Sequence, residues 1–402
     1  MNEEREGAGR PVPDDTSTGE RIKEQRKLAR LSQRQLAARI PYSYSLLNQV
    51  ECGARVATAE FTAAVARGLG IDIALLTGPP RATETQHSRL SALVRPIRES
   101  LALYDLGPDG HHPTRTAREL VRDTDRLCQE VRATYLRKAA LALPGVIDDL
   151  TLTVHTAPST EVWRALASAY RTAHDIAAKL GFADLAITAL DRMGWAAAHA
   201  SDPCLAAIRQ YRRALSHVDA EPDLGRRLVE AGQALVVGQS SREGLVVAGQ
   251  LHLGASEMAA RAGDGRAVAQ HIQAARELAD RVGGEAGEVH WLSFGRMNVN
   301  LHEIGAAITM RDFDAALRQA RAVKLPPSTL TSRRARFLVD RAVVEMETGH
   351  LDASLRHLLA ARRAAPEQTR YHPRTRETVA GLLHTSRRTS DHLVNMTSWI
   401  GL

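Results

Sequence analysis

The sequence predicts an all-α protein, and three observations support that prediction. Alanine, leucine and arginine dominate its 402 residues, and aromatic residues make up only 4%; this composition favours helix over strand. Apolar residues recur at helical spacing almost without interruption from Thr116 onwards. No segment shows the alternation of apolar and polar residues that is typical of a half-buried strand. A chain of this length exceeds one ordinary core, so we expect two or three domains.

The bulk composition excludes several classes of protein. The 44% hydrophobic and 25% charged content is typical of a globular chain, and no run of 18 apolar residues predicts a membrane span. Cys52, Cys128 and Cys204 are far apart, which argues against a disulfide framework or a structural zinc site. The polar N-terminus lacks a secretory signal pattern. We therefore expect a cytoplasmic protein without a membrane partner.

Breaker residues divide the chain into four segments. Residues 1–18 are rich in glycine, proline and acidic residues and are predicted to be a disordered tail. Residues 19–77 hold short helices. Residues 78–114 form a predicted linker with one helix at 87–104, and 115–402 form a large helical body.

The segment 19–77 predicts a compact domain of five short helices. Ser32 and Ser43 are placed to cap the second and third helices, Pro41 separates those two helices, and Gly53 ends the third. The helices are expected at 19–30, 33–40, 44–51 and 59–70, with a fifth before residue 77.

The third predicted helix has one apolar and one polar face. Leu47 and Val50 share the apolar face, which we expect to pack on the rest of the domain. Residues 19–70 hold nine Lys/Arg and four Asp/Glu, so this segment carries +5 of the net charge of +7. Such a balance is compatible with a polyanionic partner.

This pattern resembles the lambda-repressor/Cro-like (XRE-family) helix-turn-helix domain. The resemblance rests on Ile22, Arg26, Leu31, Ser32, Gln33, Leu36, Ala37, Leu47, Val50, Glu51, Gly53, Leu69 and Gly70. It implies a DNA-binding domain whose third helix enters the major groove. Arg30 and Pro41 stand where turn residues of the family are often glycine, and Pro41 bears on the angle of the turn.

The resemblance also implies which side chains contact double-stranded DNA. Amides and hydroxyls on the third helix pair with base edges, and nearby arginines contact phosphates. The predicted DNA-binding residues are Gln33, Arg34, Ser43, Tyr44, Ser45, Asn48, Gln49 and Arg55. Taken singly, each of them is an ordinary solvated polar residue. One such domain reads only a few base pairs, so we expect a homodimer on two half-sites.

The helical body contains weak internal repeats. Helix–turn–helix hairpins align at 261–275, 309–323 and 346–366, with a weaker copy at 201–215. Their turn anchors, Asp202, Gly263, Arg311 and Gly349, are 61, 48 and 38 residues apart, whereas a regular tetratricopeptide array repeats at about 34. The body therefore resembles a degenerate tetratricopeptide-like α-superhelix; an irregular helical bundle is the alternative.

A helix-turn-helix head on such a body resembles two groups of bacterial regulators. They are the peptide-sensing regulators of Gram-positive bacteria (the RRNPP group) and the long helical regulators of high-GC Gram-positive bacteria. The resemblance implies a peptide or small-molecule effector bound in the groove of the superhelix. The predicted ligand-binding residues are Gln250, Asn298 and Arg336, which share one repeat position, and Arg192 in a weaker register. Polar residues on exposed turns are the alternative interpretation.

No pattern in the sequence points to catalysis. HEIGA at 302–306 lacks the second histidine of a zinc-protease helix, and the glycines near 263 and 285 follow no strand. We therefore expect no enzyme activity, no cofactor and no metal site. The predicted function is a sequence-specific DNA-binding transcriptional regulator that senses a signal. The alternative is a helical interaction scaffold whose head domain contacts proteins.

Overall fold

The computed structural model describes residues 18–55, 57–71, 76, 84–106, 113–217, 222–385 and 390–402. Every regular element within these ranges is a helix, apart from one isolated β-bridge between Ala286 and Phe294. The chain is therefore all-α, as predicted. In the described part, no helix combines the length and the apolar character needed to cross a membrane. Residues 1–17 of the predicted tail lie outside these ranges, and so does the proline-containing segment 77–81, which the sequence predicts as a break after the N-terminal domain.

Within the described ranges, four short helices form the N-terminal part and sixteen further helices follow; the fifth helix predicted before residue 77 lies mostly outside these ranges. The first four are α1 (Thr18–Leu28), α2 (Gln33–Ala37), α3 (Tyr44–Glu51) and α4 (Ala59–Leu69). The others are α5 (Glu84–Ala102), α6 (Ala117–Arg132), α7 (Leu136–Thr156), α8 (Thr160–Leu180), α9 (Ala183–His199), α10 (Pro203–His217), α11 (Pro222–Leu235), α12 (Arg242–Arg261), α13 (Gly265–Val282), α14 (Arg296–Thr309), α15 (Phe313–Ala322), α16 (Thr331–Glu347), α17 (Leu351–Ala364), α18 (Pro366–Tyr371), α19 (Pro373–Thr385) and α20 (Asp391–Ile400). A short 3₁₀ turn, Val289–Trp291, precedes α14.

Two of the differences from the sequence prediction lie at prolines. Helix α2 ends at Ala37 instead of residue 40, because Pro41 disfavours helical geometry in the residue before it. The Leu-Pro-Gly segment at 143–145 predicts a break between helices, but helix α7 runs through Pro144. A proline inside a helix removes one backbone hydrogen bond. Here Leu143 and Ile147 are fully buried on either side of it, so packing of the apolar face holds the helix together.

The chain divides into two compact units. The first comprises Met1–Ala82 together with Arg376–Leu402, and the second comprises Thr83–Thr375. The sequence predicts one body over 115–402. The last residues instead group with the N-terminal helices, because α20 packs on α4.

The first unit is held by a small apolar core. Leu36, Leu47 and Val65 from α2, α3 and α4 have no exposed surface, and neither does Met396 of α20. Arg67 at the end of α4 donates from Nη1 to the carbonyl oxygen of Leu383 at 2.7 Å. The core of the N-terminal domain therefore includes residues from the far end of the sequence.

Helices α1 and α3 approach each other very closely at Gly19. A Cβ atom at this position would lie 2.0 Å from the carbonyl oxygen of Val50, which is backbone and has little freedom to move. Only glycine fits there, so this residue fixes the distance between α1 and the third helix.

The second unit is a succession of helical hairpins. The pairs α8–α9, α10–α11, α12–α13 and α16–α17 are neighbours in sequence and pack on each other. Three predicted turn anchors, Gly263, Arg311 and Gly349, have φ values of 72°, 63° and 84°, the left-handed conformation that reverses the chain after a helix. The predicted positions of these turns are therefore confirmed.

Helices distant in sequence also meet within the second unit. Helix α16 contacts α6, and α18 contacts α8. Side chains from the beginning and the end of this unit therefore face one another.

We expect Gly19→Ala to lower the free energy of unfolding by about 1–3 kcal/mol, because the added methyl group forces α1 away from α3. Chemical denaturation followed by circular dichroism measures the change. Gly305 in α14 is the matched control, since a Cβ atom there meets nothing within 4 Å. Gly305→Ala should stabilise the protein by about 0.5–1 kcal/mol. Equal effects of the two substitutions would contradict the close approach at Gly19.

Candidate nucleic-acid interface

Two capped helices and a short turn build the candidate interface. The Ser32 hydroxyl accepts from the backbone N–H of Gln35, and the Gln35 side chain accepts from the backbone N–H of Ser32, so α2 begins with a complete capping box. The Ser43 hydroxyl accepts from the backbone N–H of Leu46 at 3.2 Å and starts α3. Both helix starts are thus fixed by local hydrogen bonds.

A buried ion pair joins α1 to the end of α3. Arg26 Nε donates to Glu51 Oε1, and Arg26 Nη2 donates to Glu51 Oε2, both at 2.7 Å. The third nitrogen, Nη1, donates to the carbonyl oxygen of Leu31 at 2.8 Å. Arg26 is 8% and Glu51 4% exposed. The hydrogen bond to Glu51 raises the pKa of Arg26, so this guanidinium stays charged.

Gln33 at the start of α2 connects this ion pair to α3. Its Nε2 atom donates to Glu51 Oε2 at 2.8 Å and to Asn48 Oδ1 at 3.3 Å. The predicted DNA-contacting amides Gln33 and Asn48 therefore lie side by side. Gln33 also acts as a bridge that orients α2 against α3.

Helix α3 separates its apolar and polar residues cleanly. Leu47 is fully buried and Val50 is 2% exposed, so this face packs on the domain. The five predicted DNA-binding residues Ser43, Tyr44, Ser45, Asn48 and Gln49 are all exposed. The structure thus brings them onto one surface, and the opposite face of the helix packs on the domain.

Two arginines flank this surface. Arg34 is exposed, and its guanidinium carbon lies 5.9 Å from the centre of the Tyr44 ring. Arg55 is exposed too, and its backbone N–H donates to the carbonyl oxygen of Gln49. Arg30 keeps a positive φ of 54° where the family often has glycine, so the turn retains its geometry despite the departure in sequence.

The predicted ligand-binding residues are distributed differently. Gln250 and Asn298 do come together, since Asn298 Nδ2 donates to Gln250 Oε1 at 3.3 Å and Gln250 Nε2 donates to Tyr211 Oη at 2.8 Å. Both are only 2% exposed. The expectation that they line an open groove is corrected. Both side chains lie between α10, α12 and α14, where buried amides need hydrogen-bond partners.

The two predicted ligand-binding arginines lie elsewhere. Arg192 donates to the carbonyl oxygen of Leu101 and stacks on Tyr104, with its guanidinium carbon 3.6 Å from the ring centre. Arg336 bonds Asp340 through Nε at 3.1 Å, and its Nη1 lies 2.8 Å from His372 Nε2. Arg192 therefore ties α9 to the end of α5, whereas Arg336 belongs to an ionic cluster.

That ionic cluster was missed by the sequence analysis. It includes Arg132, Asp175, Lys179 and Arg212, which interact electrostatically with one another. A sequence signal does exist, because Asp175 and Lys179 interrupt the otherwise apolar stretch AHDIAAKL of α8. Their partners come from other helices, so the cluster becomes visible only in three dimensions.

One group of side chains has ligand atoms close enough for a metal ion. Those of Asp202, Cys204 and Glu243 lie within 4.8 Å of one another. Arg164 already binds Asp202 at 2.8 Å and Glu243 at 2.6 Å. Burial raises the pKa of Cys204 to about 12, so its thiol stays protonated. These contacts form an ion-pair network whose cation is Arg164.

We expect Glu51→Leu to destabilise the protein by about 3–5 kcal/mol, since it leaves the Arg26 guanidinium buried without a counter-charge. The double variant Arg26→Met/Glu51→Leu removes that uncompensated charge and should recover most of the loss. Denaturant unfolding of the unsubstituted protein, Arg26→Met, Glu51→Leu and the double variant gives the coupling free energy. A double variant as unstable as Glu51→Leu alone would show that the ion pair does not hold α1 to α3.

Comparison with known proteins gives a result for this region alone. A family model described as a helix-turn-helix domain matches residues 18–77. The searches of curated proteins and of solved structures returned no match. The matched residues are those of α1 to α4, the capped turn and the exposed face of α3. A helix-turn-helix domain of this kind indicates a DNA-binding regulator.

Proposed function

We propose that this chain is a sequence-specific transcriptional regulator whose α3 reads bases in the major groove of double-stranded DNA. The observation that carries the proposal is the exposed polar face of α3. The opposite face is held on the domain by the buried side chains of Leu47 and Val50 and by the Arg26–Glu51 ion pair. A recognition helix needs this division between a buried and a polar face.

The side chains divide into two roles. Asn48 and Gln49 present amides that pair with adenine edges, and Ser45 adds a hydroxyl. Arg34 and Arg55 contact phosphates, which set the position of the domain on the duplex. Tyr44 lies between the two groups, next to Arg34. Ser43 caps α3, so its contact with DNA is secondary to its structural role.

The second unit supplies the remaining functions. A single helix-turn-helix domain reads few base pairs, so a homodimer on half-sites about 34 Å apart gives useful specificity. We assign dimerisation and the sensing of a peptide or small-molecule signal to the tetratricopeptide-like helical body. The hairpins with left-handed turns at Gly263, Arg311 and Gly349 support that architecture. The protein acts at the nucleoid in the cytoplasm and is not an enzyme.

The alternative is a helical scaffold whose head domain contacts proteins. Salt dependence separates the two functions. Binding to DNA through several phosphates weakens steeply as salt rises, with a slope of about −0.9 per phosphate in a plot of log K against log salt. Contacts with a protein partner through α3 lack that steep dependence.

We expect Gln49→Ala to lose about 1–3 kcal/mol of discrimination at one base position, because it removes a bidentate contact. Selection from a random duplex library first identifies the preferred site. Fluorescence anisotropy with that site and its single-base variants then measures the loss. Unchanged affinity and unchanged base preference in Gln49→Ala would exclude α3 as the recognition helix.

Arg34→Ala tests the phosphate contacts separately. It should weaken binding to all sequences alike and reduce the salt slope by about 1. Arg318 on α15 is an exposed arginine of the second unit and serves as the control, so Arg318→Ala should leave affinity and slope unchanged. A full chain that binds no duplex DNA in dilute buffer would overturn the proposal.

A further inference from the structure

An unusual concentration of positive charge lies inside the second unit, where α6, α8, α10 and α16 face one another. We call it the inner cationic cluster and define it by Arg132, Asp175, Lys179, Arg212, Arg333, Arg336, Asp340 and Arg374. It holds six cations and two carboxylates, so its formal charge is +4. Buried charges in proteins are normally paired, and here the pairing is incomplete.

Each carboxylate is shared by two guanidinium groups. Asp175 binds Arg132 at 2.6 Å and Arg212 at 3.4 Å. Asp340 binds Arg336 at 3.1 Å and Arg374 at 2.7 Å. Each of the two carboxylates is therefore the counter-ion of two guanidinium groups.

Two further cations, Lys179 and Arg333, form no salt bridge with a carboxylate of the described residues. Lys179 Nζ donates to the amide oxygen of Gln368, and Gln368 Nε2 donates in turn to the carbonyl oxygen of Ser332 at 2.8 Å. Arg333 follows Ser332 in the sequence, and its guanidinium has no hydrogen-bond or salt-bridge partner in the described part of the chain. Burial and the neighbouring Arg132 lower the pKa of Lys179 to about 7. The cations therefore repel one another across the interior.

The cluster remains accessible to solvent. Lys179 and Arg333 are both partly exposed. The Nε atoms of Arg132 and Arg212 are buried and have no hydrogen-bond partner among the described residues. Positive charge and spare N–H donors therefore occur together.

We propose that the inner cationic cluster binds a small phosphate-bearing anion with at least two negative charges. Guanidinium groups match phosphate oxygens with paired N–H donors, and Lys179 adds a compact point charge. Such a ligand neutralises the surplus charge that Asp175 and Asp340 leave. It also joins α6, α8 and α10 to α16, helices that are far apart in sequence.

This inference deepens the signal-sensing part of the proposed function, and its biological meaning rests on that function. Binding of the anion itself is independent of DNA. The two proposals can therefore fail separately.

Sodium pyrophosphate is the probe, tested on the full chain by thermal unfolding and by titration calorimetry. Sodium chloride at equal ionic strength is the reference. We expect a saturable rise in Tm of about 3–8 °C when pyrophosphate exceeds its Kd about 100-fold. A rise no larger than that in chloride, or binding of malonate as tightly as pyrophosphate, would overturn the proposal.

Arg333→Met provides the decisive variant, since the Arg333 side chain forms no hydrogen bond or salt bridge with the described residues. It should raise Tm in the absence of pyrophosphate, because the repulsion falls, and should weaken pyrophosphate binding by about tenfold or more. The exposed control Arg318→Met should behave as the unsubstituted protein. A fall in Tm, or undiminished pyrophosphate binding in Arg333→Met, would contradict the proposed site.

Gln49→Ala separates the two proposals. It should bind pyrophosphate normally, because Gln49 is in the first unit and the inner cationic cluster is in the second. If Gln49→Ala loses DNA recognition and still binds pyrophosphate, the anion site is supported. Normal DNA recognition without any pyrophosphate binding refutes the anion site alone.

Discussion

The candidate interface depends on one buried ion pair, Arg26 with Glu51. Its two parallel hydrogen bonds join α1 to the end of α3, and Gln33 adds a third contact from α2. A bidentate pair fixes orientation as well as distance, which an apolar contact does not. The polar face of α3 is therefore presented at a defined angle, although α2 and α3 are only 5 and 8 residues long.

Buried arginines and carboxylates are paired differently in the two units. In the first, one arginine and one carboxylate are matched and satisfied at three nitrogens. In the second, Asp175 and Asp340 are each shared by two arginines, and Arg333 forms no salt bridge with the described residues. A matched pair favours a single geometry. A surplus of cations favours the binding of an additional anionic partner.

Periodicity predicted most helices and turns correctly, because those features are local. The Leu47/Val50 face of α3 and the turns at Gly263 and Gly349 follow from residues close in sequence. Pro144 shows the limit of such signals, since tertiary packing overrides its local preference. Burial of Gln250 and Asn298, and the surplus of charge around Lys179, arise from helices more than 30 residues apart. The spacing of residues along the sequence does not show which distant helices will contact each other.

The packing of α20 on α4 has a consequence for synthesis of the protein. Arg67 and Leu383 are separated by 316 residues. At a translation rate of about 5–20 residues per second, the ribosome needs about 15–60 s to make the stretch between them. During that interval the nascent helix-turn-helix lacks α20, which packs on α4 in the folded protein. Chaperone protection of the emerging chain is most valuable in that interval.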